Sequence, residues 1–256
     1  MNQVKKKAGA PELLFNRAFS MGLQPEWITP NGLFVITTDA GERYINNAQS
    51  SLNSTVNAGL AKNKYYTRLI LDRHNLPNIP YMLSANIEES QAFLAKHKII
   101  IVKPLQGAEC TDISIVDNKN QLSTLDLSEC ILEKYLPGKE MRYLVLNGSV
   151  IAVHESKYGA SVAQDRYLER VSYESSQWDP KLTEMSLKIS EIMGLRFSAI
   201  DYLTDKNGES YILEVNTTPG LKWFHAPSEG PSVDVAKLFL DAMISNENVA
   251  NSYIYN

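Results

Sequence analysis

The chain has 256 residues, 44% hydrophobic and 21% charged, with a net charge of −4. This excludes a collagenous or wholly disordered chain and gives no general electrostatic reason to bind nucleic acid. The longest aliphatic run, Ile99–Val102, is too short to cross a bilayer, and Cys110 and Cys130 can build neither a disulfide framework nor a zinc site, so the chain reads as cytoplasmic.

Periodicity predicts a helix around Leu13–Met21, then a hairpin of Leu33–Thr37 against Glu42–Ile45 turned at Asp39–Gly41. Asn46–Gly59, rich in Asn, Ser and Thr, reads as a connection. Tyr65, Tyr66, Leu69 and Ile70 form the stripe of a helix opening at Lys64, and Asn86 with Glu89 reads as the start of another. Ile99–Lys103, Ile113–Val116 and Cys130–Glu133 are predicted strands. Asn147-Gly148 joins Arg142–Leu146 to Ser149–His154 through a two-residue turn. Asp179-Pro180 opens a helix that Gly194 stops, Asn207-Gly208 joins Phe197–Leu203 to Ser210–Val215, and a last helix covers Val233–Ile244. The mixture, with antiparallel hairpins dominant, is α+β.

A two-residue loop at Asn207-Gly208 places Asp201 directly opposite Glu214, with Asn216 on the same face. Opposed carboxylates repel, and a divalent cation converts that repulsion into binding. Two carboxylates and an amide carbonyl are hard oxygen ligands suited to Mg²⁺ carrying phosphates. The competing reading is a solvated face that tolerates its acids.

Lys103 ends an aliphatic strand and precedes Pro104, so a rigid element presents its charge to a phosphate; a snorkelling strand-end lysine is the bland alternative. Glu133–Glu140 is a strand end running into a turn. It offers backbone amides and carbonyls to a purine edge and a carboxylate to ribose, or it is an ordinary charged turn.

Taken in order, Lys64, Val102-Lys103-Pro104, Glu133–Glu140, Arg142, Asp201 and Glu214–Gly220 resemble the ATP-grasp superfamily of carboxylate–amine ligases. The likeness is to the group of cyanophycin synthetase, the glutathione synthetase half of bifunctional enzymes, and D-alanine–D-alanine ligase. It implies two α+β lobes clasping a nucleotide: a short N-terminal segment 1–61, an N-lobe 62–135, a C-lobe 136–245 and a tail 246–256. It also implies residue roles. Lys64 and Lys103 would contact ATP phosphates; Glu133, Lys134, Tyr135 and Leu136 would line the adenine pocket, with Glu140 at the ribose. Asp201, Glu214 and Asn216 would hold one or two Mg²⁺ ions, for which Mn²⁺ could substitute. Arg142 and Lys157 would face the transferring phosphate, and Lys222 and His225 the substrate.

The implied reaction activates a carboxylate as an acyl phosphate that an amine then attacks, the substrates being amino acids, other small molecules or peptides. A non-catalytic nucleotide-binding protein and a phosphotransferase are the alternatives. Asp112 stands where relatives usually carry glycine, and the N-terminal region is short, so either the site is more open here or a homodimer or partner subunit completes it. Gln106–Asp112 and Tyr158–Arg170 are the candidate lids. No nucleic-acid or membrane partner is expected.

Overall fold

Side-chain caps start helices in the computed structural model: the carboxamides of Asn63, Asn86 and Asn118 accept from the amides of Tyr66, Glu89 and Gln121, and Asp179 accepts from Lys181. Each satisfies an amide that the first helical turn leaves without an internal partner. The structure describes residues 9–39, 41–49, 51–84, 86–106, 113–157 and 169–245. In chain order the elements are α1 (Ala10–Ser20), β1 (Pro25–Trp27), β2 (Leu33–Thr38), β3 (Gly41–Asn46), α2 (Thr55–Lys62), α3 (Lys64–Arg73), β4 (Tyr81–Leu83), α4 (Ile87–His97), β5 (Ile100–Pro104), β6 (Ser114–Val116), α5 (Lys119–Leu122), β7 (Cys130–Lys134), β8 (Lys139–Leu146), β9 (Ser149–Lys157), β10 (Glu169–Ser172), α6 (Pro180–Ile192), β11 (Phe197–Thr204), β12 (Ser210–Asn216), α7 (Lys222–His225) and α8 (Val235–Ser245). None of the described helices is long and apolar enough to cross a membrane.

The chain divides into two compact units. One draws on Met1–Ala58, Met141–Ile200 and Asn216–Asn256, the other on Gly59–Glu140 and Asp201–Val215. In the first, α1 and the antiparallel meander β1-β2-β3 build a core of Leu14, Ala18, Phe34, Ile36 and Ile45 with Phe197, Phe239 and Leu240. Phe15 stacks on Trp27 at 4.3 Å, and Phe34 meets both rings edge-on. A five-stranded sheet runs in the order β10-β9-β8-β11-β12.

The second unit holds the four-stranded antiparallel sheet β4-β7-β5-β6. Its alternation is clean. Ile100, Val102, Cys130 and Leu132 pack with Leu94 and Leu122 in one apolar cluster, while Ile101, Lys103, Ile131 and Glu133 take the opposite parity.

Two expectations are corrected. Residues 46–59 are not only a connection, because α2 begins at Thr55 within them. Their polar side chains are put to use: Ser54 Oγ accepts from Asn57 N (3.1 Å), and Asn53 brackets Phe197 by donating to its carbonyl (2.7 Å) and accepting from its amide (3.0 Å). In α3 the buried residues are Thr67, Arg68 and Leu71, while Tyr66 and Leu69 of the expected stripe are exposed. A polar residue, Arg68, sits at the centre of the buried face, and apolar spacing does not mark that.

Candidate functional site

In the second unit the residues form a chain of buried charges. Tyr81, Glu133 and Ile101 lie in one cross-strand row, Glu133 pairing with Tyr81 on β4 and with Ile101 on β5. Lys103 is two residues past Ile101, so its side chain reaches Glu133 diagonally on the same face. The Nζ–Oε2 distance is 2.7 Å, with both groups nearly wholly buried. The other carboxylate oxygen accepts from Arg68 Nε at 2.9 Å, and Arg68 is 2% exposed.

Burial alone would push the Glu133 carboxyl up. The charges of Arg68 and Lys103 and the hydrogen bonds they donate overcome it and hold the group at about 2. A buried carboxylate is sustained because two cations flank it, and Lys103 is in turn fixed by Glu133.

Arg68 does more. Its Nη1 donates to Ile212 O (2.6 Å) and Asn78 Oδ1 (3.1 Å), and its Nη2 to Leu213 O (2.9 Å). The Asn78 amide donates back to Arg68 O (2.9 Å) and to Asp72 (2.8 Å), whose other oxygen accepts from Tyr81. Sequence reasoning did not single out Arg68. The available signal was an arginine one helical turn after Lys64.

Lys64 is half-buried at the first position of α3, and its amide donates to Leu105 O, two residues past Lys103. That bond ties the start of α3 to the segment just after Lys103. The segment after β7 differs from expectation in one respect. The amides of Lys134 and Tyr135, expected to be open to a purine edge, are bonded to the carbonyls of Pro80 (2.8 Å) and Ile99 (3.1 Å). Leu136 is the next amide along, the last of the half-buried residues 134–136 before the exposed Pro137 and Gly138. A Cβ on Gly138 would stand 2.4 Å from Thr204 O, so only glycine fits there. The carboxylate of Glu133 is committed to Arg68 and Lys103, and Glu140 is half-buried at the start of β8.

The β11–β12 turn is not the expected two-residue loop. Asp205 N donates to Glu209 O, Gly208 N donates to Asp205 O, and the Thr204 and Ser210 hydroxyls meet at 2.8 Å. The loop is therefore Lys206-Asn207-Gly208, with Gly208 at φ +82 where a left-handed residue is required. The Asp205 carboxylate accepts from the Asn207 and Glu209 amides, which stabilises the longer turn.

This register would place Asp201 opposite Leu213 if β12 were regular. It is not. Ile212 and Val215, three apart, are both buried. The carbonyls of Ile212 and Leu213 both reach Arg68, whereas consecutive carbonyls of a regular strand point to opposite sides. Asp201 is 9% exposed and Glu214 half-buried. Asn216 is half-buried and accepts from Thr218 N at 2.8 Å, leaving its amide oxygen a further lone pair. Among the described residues no cluster of three or more His, Cys, Asp or Glu is set to hold a metal.

In the first unit, Arg142 is half-buried on β8 and Lys157 exposed at the end of β9, opposite Glu169. Burial, with the charges of Arg142 and Arg170, keeps His154 well below the usual imidazole range, and its ring packs on Phe224 at 4.6 Å. Arg170, buried on β10, lies 5.7 Å over the Trp223 ring, and Lys222 lies 4.7 Å from it. His154 and Arg170 are further residues that sequence pattern left unremarked as site candidates, beyond Arg170 closing a lid span. His225, expected at the substrate, accepts from Ala236 N through Nε2 at 2.9 Å, at the start of α8. That bond commits one nitrogen of its imidazole to the fold. Asp112 and residues 107–112 and 158–168 of the expected lids lie outside the described residues.

A model of the RimK-like ATP-grasp domain matches residues 61–243, and the chain belongs to that family. It is 26% identical over 178 residues to the D-alanine–D-alanine ligase of Aquifex aeolicus, covering 59% of this chain and 60% of that protein. It is 22% identical over 216 residues to the tetrahydromethanopterin:alpha-L-glutamate ligase of Methanocaldococcus jannaschii, covering 79% and 72%. The bifunctional glutathione synthetase of Pasteurella multocida matches with a TM-score of 0.66 at 13% identity, over 93% of this chain and 43% of that one, a likeness of fold. The chain thus spans only about three-fifths of the Aquifex ligase and less than half of the synthetase.

Proposed function

We propose that this protein is an ATP- and Mg²⁺-dependent ligase that activates a carboxylate as an acyl phosphate and joins it to an amine, of the amino-acid or peptide type. The observation that carries the reading is Lys103, a buried cation at the end of β5 held by Glu133. A lysine so fixed is poised to share its charge with an arriving phosphate at little cost in side-chain ordering. The named activities of the two relatives, both ligases, support the same reaction class.

In this reading Lys64 and Lys103 bind the ATP phosphates, and the 134–136 backbone meets adenine through Leu136 and the carbonyls. Glu140 takes the ribose. Glu133 acts indirectly, by fixing Lys103. Asp201, Glu214 and Asn216 supply the hard oxygen set that Mg²⁺ prefers. The change of parity between Ile212 and Leu213 supports Glu214 returning to the face of Asp201, because one irregular residue offsets the extra turn residue. The metal, when bound, neutralises charge on the transferring phosphoryl group.

The substrate carboxylate oxygen attacks the γ-phosphorus and the bond to the ADP oxygen breaks; Arg142 and Lys157 balance the charge that builds up. The amine nitrogen then attacks the acyl carbon, phosphate leaves with its C–O electron pair, and the nitrogen loses a proton. Lys222 is retained as a substrate contact.

The test is a screen of amino acids and dipeptides for ATP-dependent phosphate release, with the product identified by mass. An amide product with ADP and phosphate supports the ligase. A stable phosphorylated product indicates a phosphotransferase, and tight ATP binding without turnover a nucleotide-binding protein. Glu214→Gln should abolish turnover, and weak Mn²⁺ binding to this variant, read by electron paramagnetic resonance, would tie the loss to metal.

A further inference from the structure

We propose that Arg68 is a positioning residue that couples the nucleotide and metal halves of the site. It holds Glu133, and through it Lys103, with one edge of its guanidinium, and fixes the β12 backbone next to Glu214 with the other. This rests on the reading of Lys103 as a phosphate ligand and Glu214 as a metal ligand.

The geometry is specific to a guanidinium. Four donor contacts leave one planar group: Nε to Glu133, Nη1 to Ile212 O and Asn78, Nη2 to Leu213 O. An ammonium has three donors at a single point and cannot span a carboxylate and two successive carbonyls. The head group is gripped by Asn78, whose amide also holds the Arg68 carbonyl and is anchored on Asp72. The β12 edge is pinned further where Ile212 N donates to Pro77 O, beside the same asparagine. Arg68, Glu133 and Lys103 are all nearly sealed from solvent, so water cannot readily replace a lost contact.

Of the Arg68 donors, only Nε serves the buried acid Glu133. The two carbonyl contacts address a different problem. They fall where β12 departs from regular pleat, and Leu213 O belongs to the peptide unit that leads directly into Glu214. A shift of that peptide moves the carboxylate that would bind metal. The same guanidinium passes the shift to Glu133 and to the ammonium of Lys103. Two ligand sites that share one rigid group in this way influence each other reciprocally.

The experiment uses the full chain and two separate probes, ADP in the presence of a chelator, by calorimetry, and Mn²⁺ alone, by electron paramagnetic resonance. Lys103→Met should weaken ADP alone, and Glu214→Gln should weaken Mn²⁺ alone. Arg68→Lys, which touches neither probe, should weaken both by about tenfold, the loss expected for charged hydrogen bonds no longer made. If Arg68→Lys is folded by circular dichroism and binds both probes as the wild type does, its role is structural only and the proposal is overturned. Should that variant not fold, Asn78→Ala leaves Glu133 partnered while loosening the guanidinium. It should weaken both probes about threefold, and unchanged affinities would overturn the proposal equally. A wild-type chain that binds neither ADP nor Mn²⁺ would instead overturn the ligand assignment on which the coupling depends.

Discussion

Glu133 Oε2 lies 2.7 Å from Lys103 Nζ across two antiparallel strands, with the two side chains 1% and 7% exposed. The lysine is neither a free surface charge nor a snorkelling stem. Its position is set by a carboxylate that Arg68 holds from the other side.

Lys103→Met keeps the aliphatic stem and removes the charge. Nucleotide affinity should fall at least tenfold by calorimetry. Because Arg68 still partners Glu133, the variant should remain folded and lose about 1–3 kcal/mol in urea denaturation.

Glu133→Gln should destabilise the protein at neutral pH by about 3 kcal/mol, since it leaves two buried cations with an uncharged partner. The folded carboxyl is held at about 2 against an ordinary 4.5. Its contribution is therefore complete above pH 4.5 and is lost as the pH falls toward 2. Urea midpoints across that window should fall steeply for the wild type and more gently for Glu133→Gln.

His154 is kept neutral by burial and by two neighbouring arginines, its folded value lying well below 6.5. The unfolded chain therefore binds a proton that the folded chain refuses, and stability should drop as pH falls below 6.5. His154→Phe, whose ring can keep the packing on Phe224, should flatten the decline between pH 7.5 and 5.5 in paired denaturation curves.

Gly138→Ala should cost about 2–3 kcal/mol, because the new Cβ would stand 2.4 Å from a backbone oxygen that cannot swing away. Gly148→Ala is the control. It meets nothing within 4 Å, and its φ of +73 should cost only about 1 kcal/mol. Chemical denaturation of both variants separates crowding from backbone strain.

Short-range chemistry was legible in the sequence. The caps at Asn86 and Asp179 and the Asn147-Gly148 turn act within a few residues, and the structure contains the helices and the hairpin they signal. The ordered series from Lys64 to Gly220 was enough to identify the ATP-grasp fold. The turn at Asn207-Gly208 was legible as a turn but not in its length, because the Asp205 side chain decides between two and three loop residues by binding the next amides. What only tertiary structure decided is the company each charge keeps. Arg68 meets Glu133 at a separation of 65 residues and Ile212 at 144, and no local periodicity encodes such a meeting. An arginine on a helix has no intrinsic preference for the interior. It is buried here because a carboxylate and two backbone carbonyls converge where its fork can reach them, and desolvating that cation is tolerable only when all are present together.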